Sequence, residues 1–294
     1  MYNLNNPLFL TCETQLHAGT GSDLGIVDMP IQRERHTGFP KIESSTLKGC
    51  IRHSIKKQNG SGNTFINIAF GSENGNDNAG AIAFSDARLL CFPVKSLKDV
   101  FAWVTCPKIL ERFQKEMTWC NLEMPEIPTT NGGLICNNSP LKVSESINKL
   151  VLEEYAFEVA EDSRVTKLGD WFAEKIYGQN EYWSKKIKSN LVILSDEAFR
   201  DFVNLSTEIN TRTKIDQDTG TVVTGGLFTE EYLPAESILY SVVMTGPEFS
   251  KDSNGKKDSE IRDWFGKAIN QTKMIQIGGN ATLGKGIVNT VFVN

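Results

Sequence analysis

The residues of this chain best placed to do chemistry lie between His17 and Arg52, in HAGTGSDLGIVDMPIQRERHTGFPKIESSTLKGCIR. Glycines here let backbone N–H groups approach an anion closely. Ser44, Ser45 and Thr46 suit a helix start, where free N–H groups and the helix dipole favour phosphate. Lys48, Arg52 and Lys56 recur every fourth residue and share one helix face beside that end. Leu47, Ile51 and Ile55 form the neighbouring stripe, which suits burial against a sheet. Asp28 sits in the loop before this helix. A carboxylate near a phosphate either holds Mg²⁺ or takes a proton from a hydroxyl. The plain alternative is a loop aspartate capping a turn. Asp23 and Glu13 are its competitors, and His17 and His36 are nearby titratable groups that either touch phosphate or order the loop.

The charge pattern supports an anionic partner. The chain of 294 residues has a formal net charge of −5, yet Ile31–Gly60 holds seven Lys or Arg against two Glu. Local patches, not the total, steer nucleic acid. Arg33 and Arg35 join Lys48 and Arg52 as candidate phosphate contacts. The alternative is a solvated charged surface. A second glycine block, GGNATLGKG, places Gly279, Gly284 and Lys285 at Walker A spacing. Gly286 follows the lysine where Ser or Thr is required, and a strand-like segment follows where a helix is required, so nucleotide hydrolysis is excluded. Gly278, Gly279 and Lys285 are left as an RNA-contacting loop or a tight turn.

The elements that must position these groups follow from periodicity. Pro7–His17 reads as a strand, Ser45–Lys57 as a helix, Asn59–Asn78 as a loop broken by FINIAF, and Ala81–Val94 as strand again. A long insertion follows. Its helical patterns are Ser96–Thr105, Pro107–Trp119 (Pro at the first helical position), Val165–Tyr177 and Asp196–Leu205, the last capped by Ser195. Asn121–Pro140 reads as irregular, and Lys149–Val159 as either helix or strand. INTRTKID and TVVTGGLFTEEY flank the turn DQDTG, a hairpin too polar to bury much surface. It either projects toward a partner, presenting Arg212 and Lys214, or edges the main sheet. Ser237–Thr245 is a strand, Ser259–Lys273 a helix, and Met274–Ile277 and Ile287–Val293 strands. Without the insertion, the order is strand–helix–strand twice over, as in ferredoxin-like (RRM-type) α+β folds.

Composition bounds the rest. Hydrophobic residues make up 39% and charged residues 23%, as in a globular protein with a real core. No apolar run approaches membrane-spanning length and MYNLNNPLFL lacks a basic leader, so a cytoplasmic location is expected. Six widely spaced cysteines without a CxxC pair argue against both a disulfide framework and zinc.

Residues 17–52 resemble the glycine-rich N-terminal region of RAMP proteins of type III CRISPR effector complexes. The wording GIVDMPIQRERHTGFPKIESSTLKG is similar to that of backbone subunits of the type III-B (Cmr) complex, and the resemblance extends to GTVVTGGLFTEEYLP and GGNATLGKGIV. It implies an RRM-like palm (1–94 and 235–294), a helical, fingers-like insertion (95–207) and a thumb hairpin (208–234). It implies guide RNA, target RNA, head-to-tail copies of the chain and other subunits of the complex as partners. It also implies that Asp28 is required for cutting target RNA. Attack by the neighbouring 2′-OH would leave a 2′,3′-cyclic phosphate, with Mg²⁺ as the expected cofactor held by Asp28. His17 is a supporting residue, and Glu230 or Glu231 a possible helper from a neighbouring subunit. The rival readings are an RNA-binding scaffold without chemistry and a guide-processing endoribonuclease.

Overall fold

The computed structural model describes residues 2–22, 25–60, 64–72, 79–178, 180–249 and 255–294. Strand β1 (Leu4–Cys12) leads through a long connection, which contains β2 (Lys41–Ile42), into helix α1 (Ser44–Asn59). Helix α2 (Thr64–Phe70) and strands β3 (Ile82–Phe84) and β4 (Ala87–Lys95) follow. The insertion contains β5 (Phe101–Thr105), α3 (Pro107–Trp119), β6 (Gly133–Ile135), β7 (Lys142–Ser144), β8 (Ile147–Leu152) and β9 (Tyr155–Glu161). It continues with α4 (Ser163–Phe172), α5 (Glu181–Asn190), β10 (Leu191–Leu194) and α6 (Asp196–Leu205). Strands β11 (Glu208–Ile215) and β12 (Val222–Tyr232) form a separate two-stranded sheet. The chain closes with β13 (Ile238–Thr245), α7 (Asp258–Thr272), β14 (Met274–Gln276) and β15 (Ile287–Phe292).

Among the described residues thirteen strands share one mixed sheet, in the order β14-β15-β1-β13-β4-β5-β10-β6-β9-β8-β7, with β2 on β4 and β3 on β13. Strand β1 lies at its heart, antiparallel to β13 (Phe9 opposite Tyr240) and to β15 (Leu10 opposite Thr290). Both of its faces are covered. Phe9 meets Phe113 of α3 and Trp171 of α4, with ring centroids 6.0 and 6.2 Å apart. Alternation sends Leu8 and Leu10 to the opposite side. A second aromatic cluster joins α2, α7 and the sheet, where Phe265 meets Phe70, Phe84 and Phe292. A strand buried on two faces needs an almost unbroken apolar run, which is why PLFLTC shows little alternation.

The insertion departs from its helical reading. It contains six strands, β5 to β10, which extend the main sheet outward from β4. Phe101–Thr105, read as helix, is strand β5, parallel to β10 with Trp103 opposite Leu191. A short apolar run does not distinguish buried strand from buried helix by period alone. The choice is made by neighbours: Trp103 is fully buried and its indole N–H donates to the Glu236 carbonyl at 2.7 Å. Lys149–Val159 resolves into the β8–β9 hairpin, and FINIAF forms α2 rather than loop. Ser195 caps α6 as expected, accepting from the Ala198 N–H at 3.3 Å.

Candidate functional site

One strand organises the site. At the base of the hairpin β12 runs Thr229–Glu230–Glu231–Tyr232, and successive side chains leave it in opposite directions. Thr229 and Glu231 face the early loop; Glu230 and Tyr232 face the C-terminal glycine loop. The early loop is laced to β12 as a short parallel addition. The Met29 N–H donates to the Thr229 carbonyl and the Glu231 N–H to the Met29 carbonyl, both at 3.0 Å.

Asp28 is exposed at the edge of this junction. Its Oδ2 accepts from the Thr229 N–H at 2.7 Å and from the Thr229 hydroxyl at 2.9 Å. The Asp28 N–H reaches Thr229 Oγ1 at 3.0 Å. The Thr229 backbone and hydroxyl donors hold the carboxyl below its ordinary pKa. Oδ1 accepts nothing from another described residue. Of the two competitors, Asp23 lies outside the described residues, and Glu13 lines a cavity with Glu236, Tyr177 and Trp183 that Asp28 does not share. Burial pushes the Glu13 carboxyl up, the opposite of Asp28.

Glu231 is an internal clamp. Its Oε1 accepts from Arg33 at 2.5 Å and from the Thr207 hydroxyl at 2.8 Å, and its Oε2 accepts from the Ile31 N–H at 3.0 Å. Arg33 also donates to the carbonyls of Gly38 and Val203, at 2.7 and 2.9 Å, and to Asn204 Oδ1 at 3.0 Å. Arg33, read as a phosphate contact, is therefore committed inside the protein. Glu34 pins the same loop from its other end, accepting from Arg112 at 2.7 Å and from the Thr37 hydroxyl at 2.8 Å. Arg35 and His36 remain exposed, and Arg35 makes no ion pair among the described residues.

On the opposite side of β12, Glu230 pairs with Arg212 and accepts from the Tyr232 hydroxyl at 2.7 Å and from Asn280 at 3.2 Å. Burial pushes the Glu230 carboxyl up, but Tyr232, Asn280, Arg212 and His17 outweigh it and hold the group below its ordinary value. Arg212 also donates to the Tyr232 hydroxyl at 2.6 Å, so this thumb cation folds back on its own base. Lys214 stays exposed. Lys285 bonds Gln15 and lies 5.3 Å from the Tyr232 ring centroid. Both nominated helper carboxylates are thus held by groups of their own chain.

His17 sits between the two glycine loops. Its Nδ1 contacts the Glu231 carbonyl at 2.7 Å, which requires the proton on that nitrogen. The ring is buried against Tyr232 at 5.5 Å. A Cβ on Gly19 would lie 2.5 Å from His17 Nε2, and one on Gly278 would lie 2.2 Å from the His17 carbonyl oxygen. The Gly279 N–H donates to that carbonyl at 2.9 Å. Gly19 and Gly278 accordingly leave no room for a side chain beside His17, and the buried His17 ring ties the two loops to β12.

The first helix also differs from its reading. It starts at Ser44, with Glu43 as N-cap and no side-chain cap from its own serines or threonine. The anion at its N-terminus is the protein's own Asp86, whose Oδ1 accepts from the Ser44 N–H at 2.9 Å while its Oδ2 pairs with Lys41 at 2.9 Å. Ser45 is exposed and Thr46 half-exposed beside it. Lys48 is half-buried and donates to the Ile82 carbonyl at 2.9 Å; burial, then the nearby Arg52, lowers its pKa. Arg52 donates to Asn67 Oδ1 at 3.5 Å. Within the regular cationic row, Lys48 is anchored to the protein's own backbone, whereas Arg52 makes no ion pair among the described residues.

No group of three or more His, Cys, Asp or Glu among the described residues is arranged to hold a metal ion. Asp28 Oδ1 suits the other mode, a single carboxylate beside water and substrate oxygens. The cysteines are free; burial pushes the Cys106 and Cys120 thiols up to about 12, which leaves them inert. The residues missed from sequence are Thr229, Asn280 and Asp86. Only the alternation of β12 next to Glu230 signalled Thr229; the other two act across long sequence separations.

The RAMP superfamily model matches residues 9–289. A Cmr endoribonuclease, Cmr4, of Pyrococcus furiosus is 41% identical over 283 residues, covering 94% of this chain and 91% of the relative. The Cmr4 subunit of Saccharolobus solfataricus is 26% identical, covering 100% and 98%. The crystal structure of oligomeric Cmr4 from P. furiosus superposes with a TM-score of 0.76 at 32% identity, covering 99% of this chain and 98% of that one. With the family's matched span running from β1 to β15 and the glycine loops at both ends in place, the chain belongs to the RAMP superfamily, in its Cmr4 branch.

Proposed function

We propose that this chain is a repeated backbone subunit of a type III-B CRISPR effector that holds guide RNA and cleaves complementary target RNA beside Asp28. The supporting relative, 41% identical, is named an endoribonuclease, and another match is the structure of an oligomeric Cmr4. In this reading β15, β1, β13 and β4, with α1 and α7, are a ferredoxin-like palm. The β11–β12 hairpin is the thumb, and copies stack head-to-tail as heterologous contacts allow. Base pairing supplies target choice, as in other guided systems. The RNA contacts in this reading are Arg35, Arg52 and Lys214, which make no ion pair among the described residues, with the helix start at Ser45 and Thr46. A cytoplasmic location goes with these partners; among the described residues no helix is long and apolar enough to cross a membrane.

The observation that carries the catalytic assignment is an exposed carboxylate held below its ordinary pKa, with one oxygen fixed by Thr229 and the other bonded to no other described residue. In the reaction the 2′-OH of the target attacks the adjacent phosphorus and gives its proton to solvent water, the P–O5′ bond breaks, and the departing 5′-oxygen takes a proton from solvent water. The products are a 2′,3′-cyclic phosphate and a 5′-hydroxyl. A carboxyl held below its ordinary pKa is a weak proton acceptor and a good partner for positive charge. Asp28 Oδ1 is the atom that would hold a Mg²⁺ ion, which supplies charge neutralisation at the phosphate when bound. The remaining work is positioning, and slow cleavage follows from a site with one carboxylate.

The test is Asp28→Asn in the complex assembled with guide RNA. Assembly and guide binding should persist while cleavage of complementary RNA is lost. Undiminished cutting would remove Asp28 from the mechanism. Cleavage that survives EDTA would favour a metal-independent guide-processing enzyme instead.

A further inference from the structure

We infer that Thr229, on the thumb strand, is the positioning residue for the Asp28 carboxylate, so that the thumb's base sets the geometry of the cleavage site in its own subunit. The inference rests on the assignment of Asp28 to cleavage. It starts from the described residues just before Asp28, which are largely exposed. Among the described residues before Asp28, Gly25 is exposed and Ile26 is fully so. An unrestrained aspartate in such a loop samples several rotamers. Thr229 removes that freedom with three hydrogen bonds between the same two residues. Its N–H and hydroxyl both donate to Oδ2, and its hydroxyl oxygen accepts from the Asp28 N–H. Backbone and side chain of Asp28 are thus gripped together, and Oδ1 accepts from no other described residue.

The grip is transmitted, not local. Two residues along the same strand face, Glu231 ties β12 to Arg33 and to the Ile31 N–H. Thr229 therefore stands on a strand already bolted to the loop's far end. A shift of the hairpin base carries Asp28 with it. A side chain other than Thr or Ser at this position loses the hydroxyl half of the clasp and leaves Oδ2 on a single backbone N–H.

The experiment compares Thr229→Val, Thr229→Ser and Asp28→Asn in the complex assembled with guide RNA. Valine keeps the β-branched shape suited to a strand, so the fold is not at stake. Single-turnover cleavage at saturating target and target affinity are both measured. Thr229→Val should cleave roughly 10- to 100-fold more slowly with affinity unchanged, the scale of a small misplacement of a reacting group. Thr229→Ser should stay within about threefold of the wild type because it keeps the donor. Wild-type rates in Thr229→Val, with Asp28→Asn inactive, would overturn the role of Thr229 and leave the Asp28 assignment standing. Equal losses in the Val and Ser variants, or a loss that tracks weakened target affinity, would also overturn it. Cleavage by Asp28→Asn would instead remove the underlying assignment.

Discussion

The base and the tip of the β11–β12 hairpin are built from the same two strands and live under different physics. At the base Tyr232 is fully buried and Glu230 and Glu231 are each 6% exposed, with every carboxylate oxygen engaged. Toward the tip Ile215, Val222 and Leu227 are 50%, 52% and 64% exposed, and the register shifts between Thr213 and Ile215. Buried polar networks are rigid when satisfied and costly when broken. Exposed cross-strand pairs contribute little each. The base is therefore a fixed part of the site, and the tip is free to meet something else.

Removing the clamp should break the base hardest. Glu231→Ala leaves Arg33, 22% exposed, without its anion. The expected loss is about 3–5 kcal/mol, read from urea unfolding. A loss under about 1 kcal/mol would put this pair on the footing of a surface salt bridge. Next come two glycines with similar backbones. Gly278 has φ +82° and no room for a Cβ; Gly225 has φ +73° and open space around it. Gly278→Ala should cost about 2–4 kcal/mol, strain plus clash, and Gly225→Ala about 1 kcal/mol, strain alone. Equal costs would erase the distinction between packed loop and free tip.

The tip should be nearly silent in stability. Ile215→Ser with Leu227→Ser is expected to change it by less than about 0.5 kcal/mol, while self-association of the purified chain weakens in sedimentation velocity. Unchanged association would show that these side chains contact no neighbouring copy. The smallest effect concerns Asp28. Its depressed carboxyl pKa adds stability above the ordinary carboxylate value, and that contribution fades as pH falls through the depressed value. The group is exposed, so global stability barely moves. A carboxyl NMR titration should still place it below ordinary aspartates and move it upward in Thr229→Val.

Local patterns announced much of this molecule. The Pro107 and Ser195 helix starts and the existence of the β11–β12 hairpin are short-range features, and each lies where its period and punctuation put it. The insertion was harder because β5 and β10 are short apolar runs whose identity depends on pairing across 88 residues, Trp103 with Leu191. The cations show the same limit. Arg33, Lys48, Arg212 and Lys285 look as available as Arg35 in sequence, yet each is consumed by a carbonyl, amide or carboxylate brought from elsewhere.

Residue type and spacing along the chain were enough to reveal the family wording, the glycine loops and an acidic residue worth suspecting. Those properties are covalent and need no folding to be read. Which charges stay free, which glycines exist for packing around His17, and what holds Asp28 all required three distant segments to converge on β12. Hydrogen bonds and ion pairs form between neighbours in space, and 201 residues separate Asp28 from the threonine that orients it.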